Sequence, residues 1–147
     1  MSADLACGRL PDVELPLVGG GSINLGCFYG QKLVVFFCPT GDPSAGEKEI
    51  ETYRALAPEF EKAGTWVIGI VAARSAGVSP SCHPHLSLGI DLDRSAFDKL
   101  ARSLPANFPI DRATGAAFLI DRDGSIRTAQ RGCGHALQAL ADAREGP

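Results

Sequence analysis

The strongest constraint in the chain is KLVVFFC, residues 32–38, closed by Pro39. A short apolar run rich in β-branched and aromatic side chains, without polar alternation, reads as a strand covered on both faces. That is the pattern of a parallel sheet flanked by helices. TWVIGIVAA, residues 65–73, repeats it. Between the two, PTGDPSAGEKE at 39–49 is a polar turn feeding a helix. Asp42 suits the N-cap, and Pro43 suits the first helical position, where its missing N–H costs nothing. Ile50, Tyr53, Leu56 with Ala57, and Phe60 then recur at intervals of three and four, giving one apolar face. Pro58 inside this pattern predicts a kink, and Gly64 predicts the helix end. The centre of the chain is thus a β-α-β unit.

Around it, residues 8–30 read as a glycine-rich hairpin. Val13, Leu15 and Leu17 alternate with polar or turn residues, Gly19-Gly20-Gly21 supplies the turn, and Ile23 and Leu25 alternate again. Residues 74–92 read as loop, with a short apolar stretch at Leu86–Ile90. A helix is predicted over 93–104, with Phe97, Leu100, Ala101 and Leu104 on one face. AAFLID (116–121), the turn Arg122-Asp123-Gly124 and SIRTAQRG (125–132) form a second hairpin. A last helix over 134–144 carries Leu137, Leu140 and Ala141. The predicted order is ββ-β-α-β-α-β-β-α, and the 147 residues suit one domain over 1–147.

Composition narrows the function. A net charge of −3 without a Lys/Arg block offers little to nucleic acid or an anionic membrane. No apolar run approaches the ~20 residues of a membrane span. MSADLACGRL has no basic segment leading into a long apolar stretch, which points to the cytoplasm. No phosphate loop or cofactor motif stands out, so no cofactor is expected. The five cysteines, Cys7, Cys27, Cys38, Cys82 and Cys133, are scattered, with no C-x-x-C. In a reducing cytosol such cysteines are most often buried small hydrophobes, yet they are the chain's evident redox chemistry.

The order and spacing of several short motifs carry a family resemblance. Gly8, Pro11, Asp12, Leu25, Gly30, Lys32, Val34, Val35, Phe37 and Pro39 match the opening of the peroxiredoxin (AhpC/TSA) family. AFLIDRDGSIR, residues 117–127, closely resembles that family's "T-F-L-I-D-x-D-G-x-I-R" hairpin, and Asp91 falls where the family often has an Asp before its third helix. The resemblance implies a thioredoxin-like α/β fold, with a central mixed sheet flanked by helices and an N-terminal β-hairpin extension. It also implies an antioxidant or oxidoreductase role, with a peroxide or disulfide as substrate, a thiol reductant as partner, and a homodimer as one assembly.

The active-site motif departs from the family's. Laid on without gaps, the family's P-x-x-x-T-x-x-C falls on Pro39, Pro43 and Gly46, so Gly46 stands where the peroxidatic cysteine is expected. A one-residue shift that aligns the helix-starting prolines puts Ala45 at the peroxidatic position instead, so neither register supplies a thiol. Glu49 matches a Glu common three residues beyond that cysteine, and the family Arg falls on Gly115 with Arg112 nearby. A thioredoxin C-x-x-C would fall within residues 38–43, which contain only Cys38, and the cis-Pro before the third strand is replaced by Gly115 or a neighbour.

Cys38, at the end of the central strand, is therefore the candidate catalytic thiol, since sites in α/β sheets lie beyond the carboxyl ends of the strands. The alternative is a buried strand-end cysteine without a role. Thr40 and Ser44 suit helix capping or a small oxygen ligand. Cys27 is the candidate resolving thiol if the hairpin packs beside the sheet. Cys82, His83 and His85 contain metal-type ligands but lack a second matching pair beyond Cys133/His135, so no metal site is expected. Two functions follow: a peroxiredoxin-like thiol redox protein, or a thioredoxin-fold binding module that has lost catalysis.

Overall fold

The fold was obtained as a computed structural model. It describes residues 13–18, 20–28, 30–39, 41, 43–72, 86–91, 95–102, 110, 113–132 and 134–145. Strands β1 (Glu14–Pro16) and β2 (Ser22–Asn24) pair antiparallel as a small hairpin. A 3-10 turn at Leu25–Phe28 leads into β3 (Lys32–Phe37). Then follow α1 (Pro43–Lys62), β4 (Thr65–Ala72), β5 (Leu86–Asp91) and α2 (Ser95–Arg102). Strands β6 (Ala116–Ile120) and β7 (Ile126–Arg131) precede α3 (Ala136–Glu145). The main sheet has the order β5-β4-β3-β6-β7. Strands β3, β4 and β5 run parallel, and β6 is antiparallel to both β3 and β7. The mixed sheet expected from the sequence is present.

Every residue of β3 is buried, because both faces of the sheet are covered. Leu33, Val35 and Phe37 point to one side, where Ile68, Ile70, Phe118 and Ile120 meet Val13 and Leu15 of the hairpin and Phe97 and Leu100 of α2. Val34, Phe36 and Cys38 point to the other side, against Ile50, Tyr53, Ala57 and Phe60 of α1 and Ala136, Leu140 and Ala143 of α3. The period-2 alternation of a strand makes this division, and it assigns Cys38 to the α1 face. Helix α1 runs through Pro58 to Lys62 and is stopped by Gly64, whose φ of 67° suits a helix C-cap.

Two expectations are corrected. Leu86–Asp91, read as loop, is strand β5, in register with Val67–Ala72 of β4. Ser87 and Gly89 hide it in the sequence, and its conformation comes from the ladder with β4. Its other edge is covered by the N-terminal hairpin: Leu17 bridges to Gly89, and the Val18 N–H donates to the Leu88 carbonyl at 2.8 Å. An edge so covered does not invite pairing with another chain. In α3, Leu137 is 70% exposed, and Ala141 is exposed as well. The helix instead turns Ala136, Ala139, Leu140 and Ala143 to the core. Small residues on that face let α3 lie close to the sheet and α1, a constraint that hydrophobic periodicity alone does not carry.

Two further contacts fix the frame of the site. Asp91, buried at the end of β5, accepts hydrogen bonds at 3.2 Å from the backbone N–H groups of Ala96 and Phe97, and so holds the start of α2. At the other end of the sheet, the Lys32 ammonium donates to the Ala143 carbonyl at 2.6 Å, placing a cation at the carbonyl end of α3.

Candidate active site

The site lies where β3 ends and α1 begins. The Cys38 N–H donates to the Ile70 carbonyl at 3.0 Å, extending the β3–β4 ladder one residue beyond the strand. That bond fixes the direction of the Cys38 side chain, which is 9% exposed and carries a reduced thiol. Pro39 is buried beside it, and Pro43 is the first residue of α1, as its fixed φ favours. Ser44 follows on the exposed side of the first turn, and Gly46 is buried. Thr40, Asp42 and Arg112 lie outside the described residues.

Gly46 and Cys38 face each other. A β-carbon built on Gly46 would stand 3.7 Å from the Cys38 β-carbon and 3.5 Å from the Pro39 carbonyl oxygen. A β-carbon would fit in the first turn of α1 at ordinary contact distances, and Cys38 borders that position from the strand. Gly115, before β6, packs against the same strand end at Phe37 and Pro39. Its φ is +84°, and a β-carbon there would be 2.6 Å from the Phe37 carbonyl oxygen and 3.3 Å from the Pro39 nitrogen. The segment before β6 approaches the Cys38 loop this closely at Gly115 because glycine has no side chain. The Gly41 N–H donates to the Ala113 carbonyl at 3.1 Å, tying the same two segments together.

Beneath the first turn, α1 buries two polar residues. Both oxygens of Glu49 accept from the Gly134 N–H, at 3.1 and 2.9 Å, which joins α1 to the turn before α3. Burial raises the Glu49 carboxyl above its ordinary range, while the Gly134 N–H and the neighbouring His135 pull it back. Tyr53, one turn further on, is fully buried, and its ring stacks on Phe36 with centroids 3.9 Å apart and planes at 5°. Burial, followed by the charges of Glu49 and Cys38, drives its phenol far above the usual tyrosine range, so it stays a proton donor. In the sequence Tyr53 reads only as one residue of an apolar helix face. The available signal was its hydroxyl, placed on a face otherwise made of Ile, Leu, Ala and Phe.

The backbone of Cys27 lies in the 3-10 turn before β3, and its side chain is outside the described residues. Cys7, Cys82, His83, His85 and Cys133 are also outside them. Among the described residues no cluster of three or more His, Cys, Asp or Glu side chains could hold a metal ion. No helix among them is long and apolar enough to cross a membrane.

Comparison with known proteins agrees with this geometry. The sequence profile of the AhpC/TSA family matches residues 8–129. This chain belongs to the AhpC/TSA family. Within that family it is 27% identical over 139 residues to peroxiredoxin Bcp of Xanthomonas campestris, covering 88% of this chain and 87% of that protein. The solved structure of X. campestris peroxiredoxin Q superposes with a TM-score of 0.73 at 25% identity, over 95% of this chain and 97% of the other. Peroxidoxin BcpB of Mycobacterium tuberculosis gives 0.71 at 23% identity over 97% of both chains, and shows the shared fold. A thioredoxin lipoprotein of Streptococcus pneumoniae shares the fold too, at 0.65 and 17% identity over 90% of this chain and 99% of that one. This AhpC/TSA protein is a peroxiredoxin-like redox protein with a thioredoxin fold. It keeps the family's frame around a first helical turn that carries glycine at position 46.

Proposed function

We propose that this AhpC/TSA protein reduces peroxides with thiol-derived electrons, using Cys38 as the working thiol. The observation that carries the reading is the 3.7 Å separation between the Cys38 β-carbon and a β-carbon built on Gly46. A thiol supplied by the strand borders the space from which the family's helix would supply one. The chemistry needs a thiolate beside a site that admits an O–O bond. Such a thiolate is favoured near a helix N-terminus, where backbone dipoles supply partial positive charge.

In the first half-reaction, the Cys38 sulfur attacks one oxygen of the peroxide. A sulfur–oxygen bond forms and the O–O bond breaks. Sulfur is oxidised by two electrons to a sulfenic acid, and the peroxide is reduced to alcohol or water. The proton lost by the thiol ends on the departing oxygen. In the second half-reaction, a reductant thiol displaces water from the sulfenic acid to form a mixed disulfide, and a second thiol releases Cys38.

We assign resolution to an external thiol. The turn that holds Cys27 leads into the start of β3, where Phe28 meets Trp66 edge to face and the Gly30 N–H donates to the Arg122 carbonyl. Cys38 lies six residues beyond the first residue of that strand, about 20 Å away at ~3.3 Å per residue. A disulfide requires α-carbons within ~7 Å. The cycle consumes thiol reductant, so the reading supposes a reducing compartment such as the cytoplasm.

The test is peroxide consumption with an excess of a small thiol reductant, comparing the intact protein with Cys38→Ser. Turnover by the intact protein that falls to the buffer rate in the variant is the expected result. Equal rates in both would remove Cys38 from the reaction, and a buffer rate in both would remove the activity.

A further inference from the structure

We propose that the Tyr53 hydroxyl is the hydrogen-bond donor for the oxygen that oxidation places on Cys38, so that the α1 face of the core contains a holding site for the Cys38 sulfenic acid. This deepens the peroxide-reducing reading and rests on it.

Tyr53 has no exposed surface, and its hydroxyl has no hydrogen-bond partner among the described residues. Its ring is fixed between Phe36, at 3.9 Å, and Phe60, at 5.9 Å between centroids. The direction of the hydroxyl is therefore set by packing. A buried hydroxyl without an acceptor is a cost that Phe, in the same ring position, would not carry. The hydroxyl gains a use only in a state that brings it an acceptor.

Cys38 is the group that can bring one. It follows Phe36, the ring on which Tyr53 stacks, by two residues on the same face of β3, so Cys38 and Tyr53 share the core beneath α1. Glu49, one turn before Tyr53, is turned to the Gly134 N–H and makes no hydrogen bond to the Tyr53 hydroxyl. When the Cys38 sulfur takes an oxygen from a peroxide, the new S–O group extends the side chain by one heavy atom and adds lone pairs. The peroxide leaves as alcohol or water, carrying the proton of the former thiol. Tyr53 keeps its own proton and donates it in a hydrogen bond to the sulfenic oxygen. Tyr53 takes no electrons and is a positioning residue for the oxidised sulfur.

Tyr53→Phe isolates the hydroxyl, since the ring still fills its place on Phe36. Both proteins are treated with one equivalent of hydrogen peroxide, and Cys38 sulfenic acid is followed by dimedone capture and mass spectrometry. The reduced variant is expected to melt at or above the wild type, while its sulfenic acid disappears about tenfold faster, the worth of one hydrogen bond. Equal lifetimes overturn the proposal, as does a reduced variant that melts clearly below the wild type, because the hydroxyl would then already be in use. A second measurement uses the native tyrosine. In a Tyr29→Phe background, which leaves Tyr53 as the single tyrosine, the tyrosine Raman doublet should shift towards its hydrogen-bonded ratio on oxidation. An unchanged doublet overturns the proposal. Wild-type Cys38 that stays a thiol under excess peroxide overturns the peroxide-reducing reading itself, whereas oxidised Cys38 with equal lifetimes overturns only the role of Tyr53.

Discussion

A β-carbon built on Gly46 lies 3.7 Å from the β-carbon of Cys38, inside the ~3.5–4.5 Å span that a disulfide bridges. Gly46→Cys is therefore expected to close a bond to Cys38 under mild oxidation, without rearrangement of the first turn of α1. Intact mass after alkylation reads it directly: both thiols are protected until a reductant is added. Continued alkylation of both residues in the oxidised sample would show that the strand end and the helix start stand further apart in solution.

Gly46→Ala tests the same space more gently. The added methyl group meets the Pro39 carbonyl oxygen at 3.5 Å and the Cys38 β-carbon at 3.7 Å, ordinary contact distances. Alanine also restricts the unfolded chain and favours helix. The variant should gain about 0.5–1 kcal/mol of stability in a urea titration. A loss of that size would mean that the space beside Cys38 is smaller than the backbone indicates.

Gly115→Ala should act in the opposite direction. Its backbone is left-handed, with φ at +84°, and the methyl group would be driven to 2.6 Å from the Phe37 carbonyl oxygen. Strain and overlap together should cost about 3 kcal/mol or more. The variant should also lose peroxide consumption, because the displaced segment adjoins Pro39. Denaturant unfolding with a midpoint equal to the wild type would contradict this account.

The Glu49 carboxyl predicts a pH dependence. Burial raises its pKa in the folded protein above the ordinary 4.5. The folded state therefore binds this proton more tightly than the unfolded state. The contribution to stability is fully present below the unfolded pKa and is lost as pH rises through the higher folded value. Thermal midpoints of wild type minus Glu49→Gln, measured from pH 4 upward, should fall across that window and then level off. A difference that rises with pH would mean that the Gly134 N–H outweighs burial.

Much of the frame was legible because it is local. KLVVFF states by composition that β3 is covered on both faces, and its alternation puts Cys38 on one face with Val34 and Phe36, which the structure shows to be the face under α1. The Asp123-Gly124 turn announces the β6–β7 hairpin, and Ile50, Tyr53, Ala57 and Phe60 announce the buried face of α1. Leu86–Asp91 was hidden because Ser87 and Gly89 dilute a strand whose conformation comes from its ladder with β4. Leu137 misled because a large apolar residue in a short helix looks like core, whereas α3 turns Ala136, Ala139, Leu140 and Ala143 inward and leaves Leu137 exposed.

The site divides in the same way. From the sequence alone, a cysteine ends the central strand, the first turn of the next helix carries glycine at position 46 instead of a thiol, and Glu49 and Tyr53 lie along that helix. These are statements about order and periodicity, which the bonded chain sets over a few residues. Only the tertiary structure brings the Cys38 β-carbon beside the β-carbon position of Gly46, buries the Tyr53 hydroxyl in the same core, and sets Gly115 against Phe37 and Pro39. Those distances depend on how closely α1, α3 and the segment before β6 pack onto the sheet. Packing of that kind is the joint outcome of many side-chain volumes, and no single stretch of the chain encodes it.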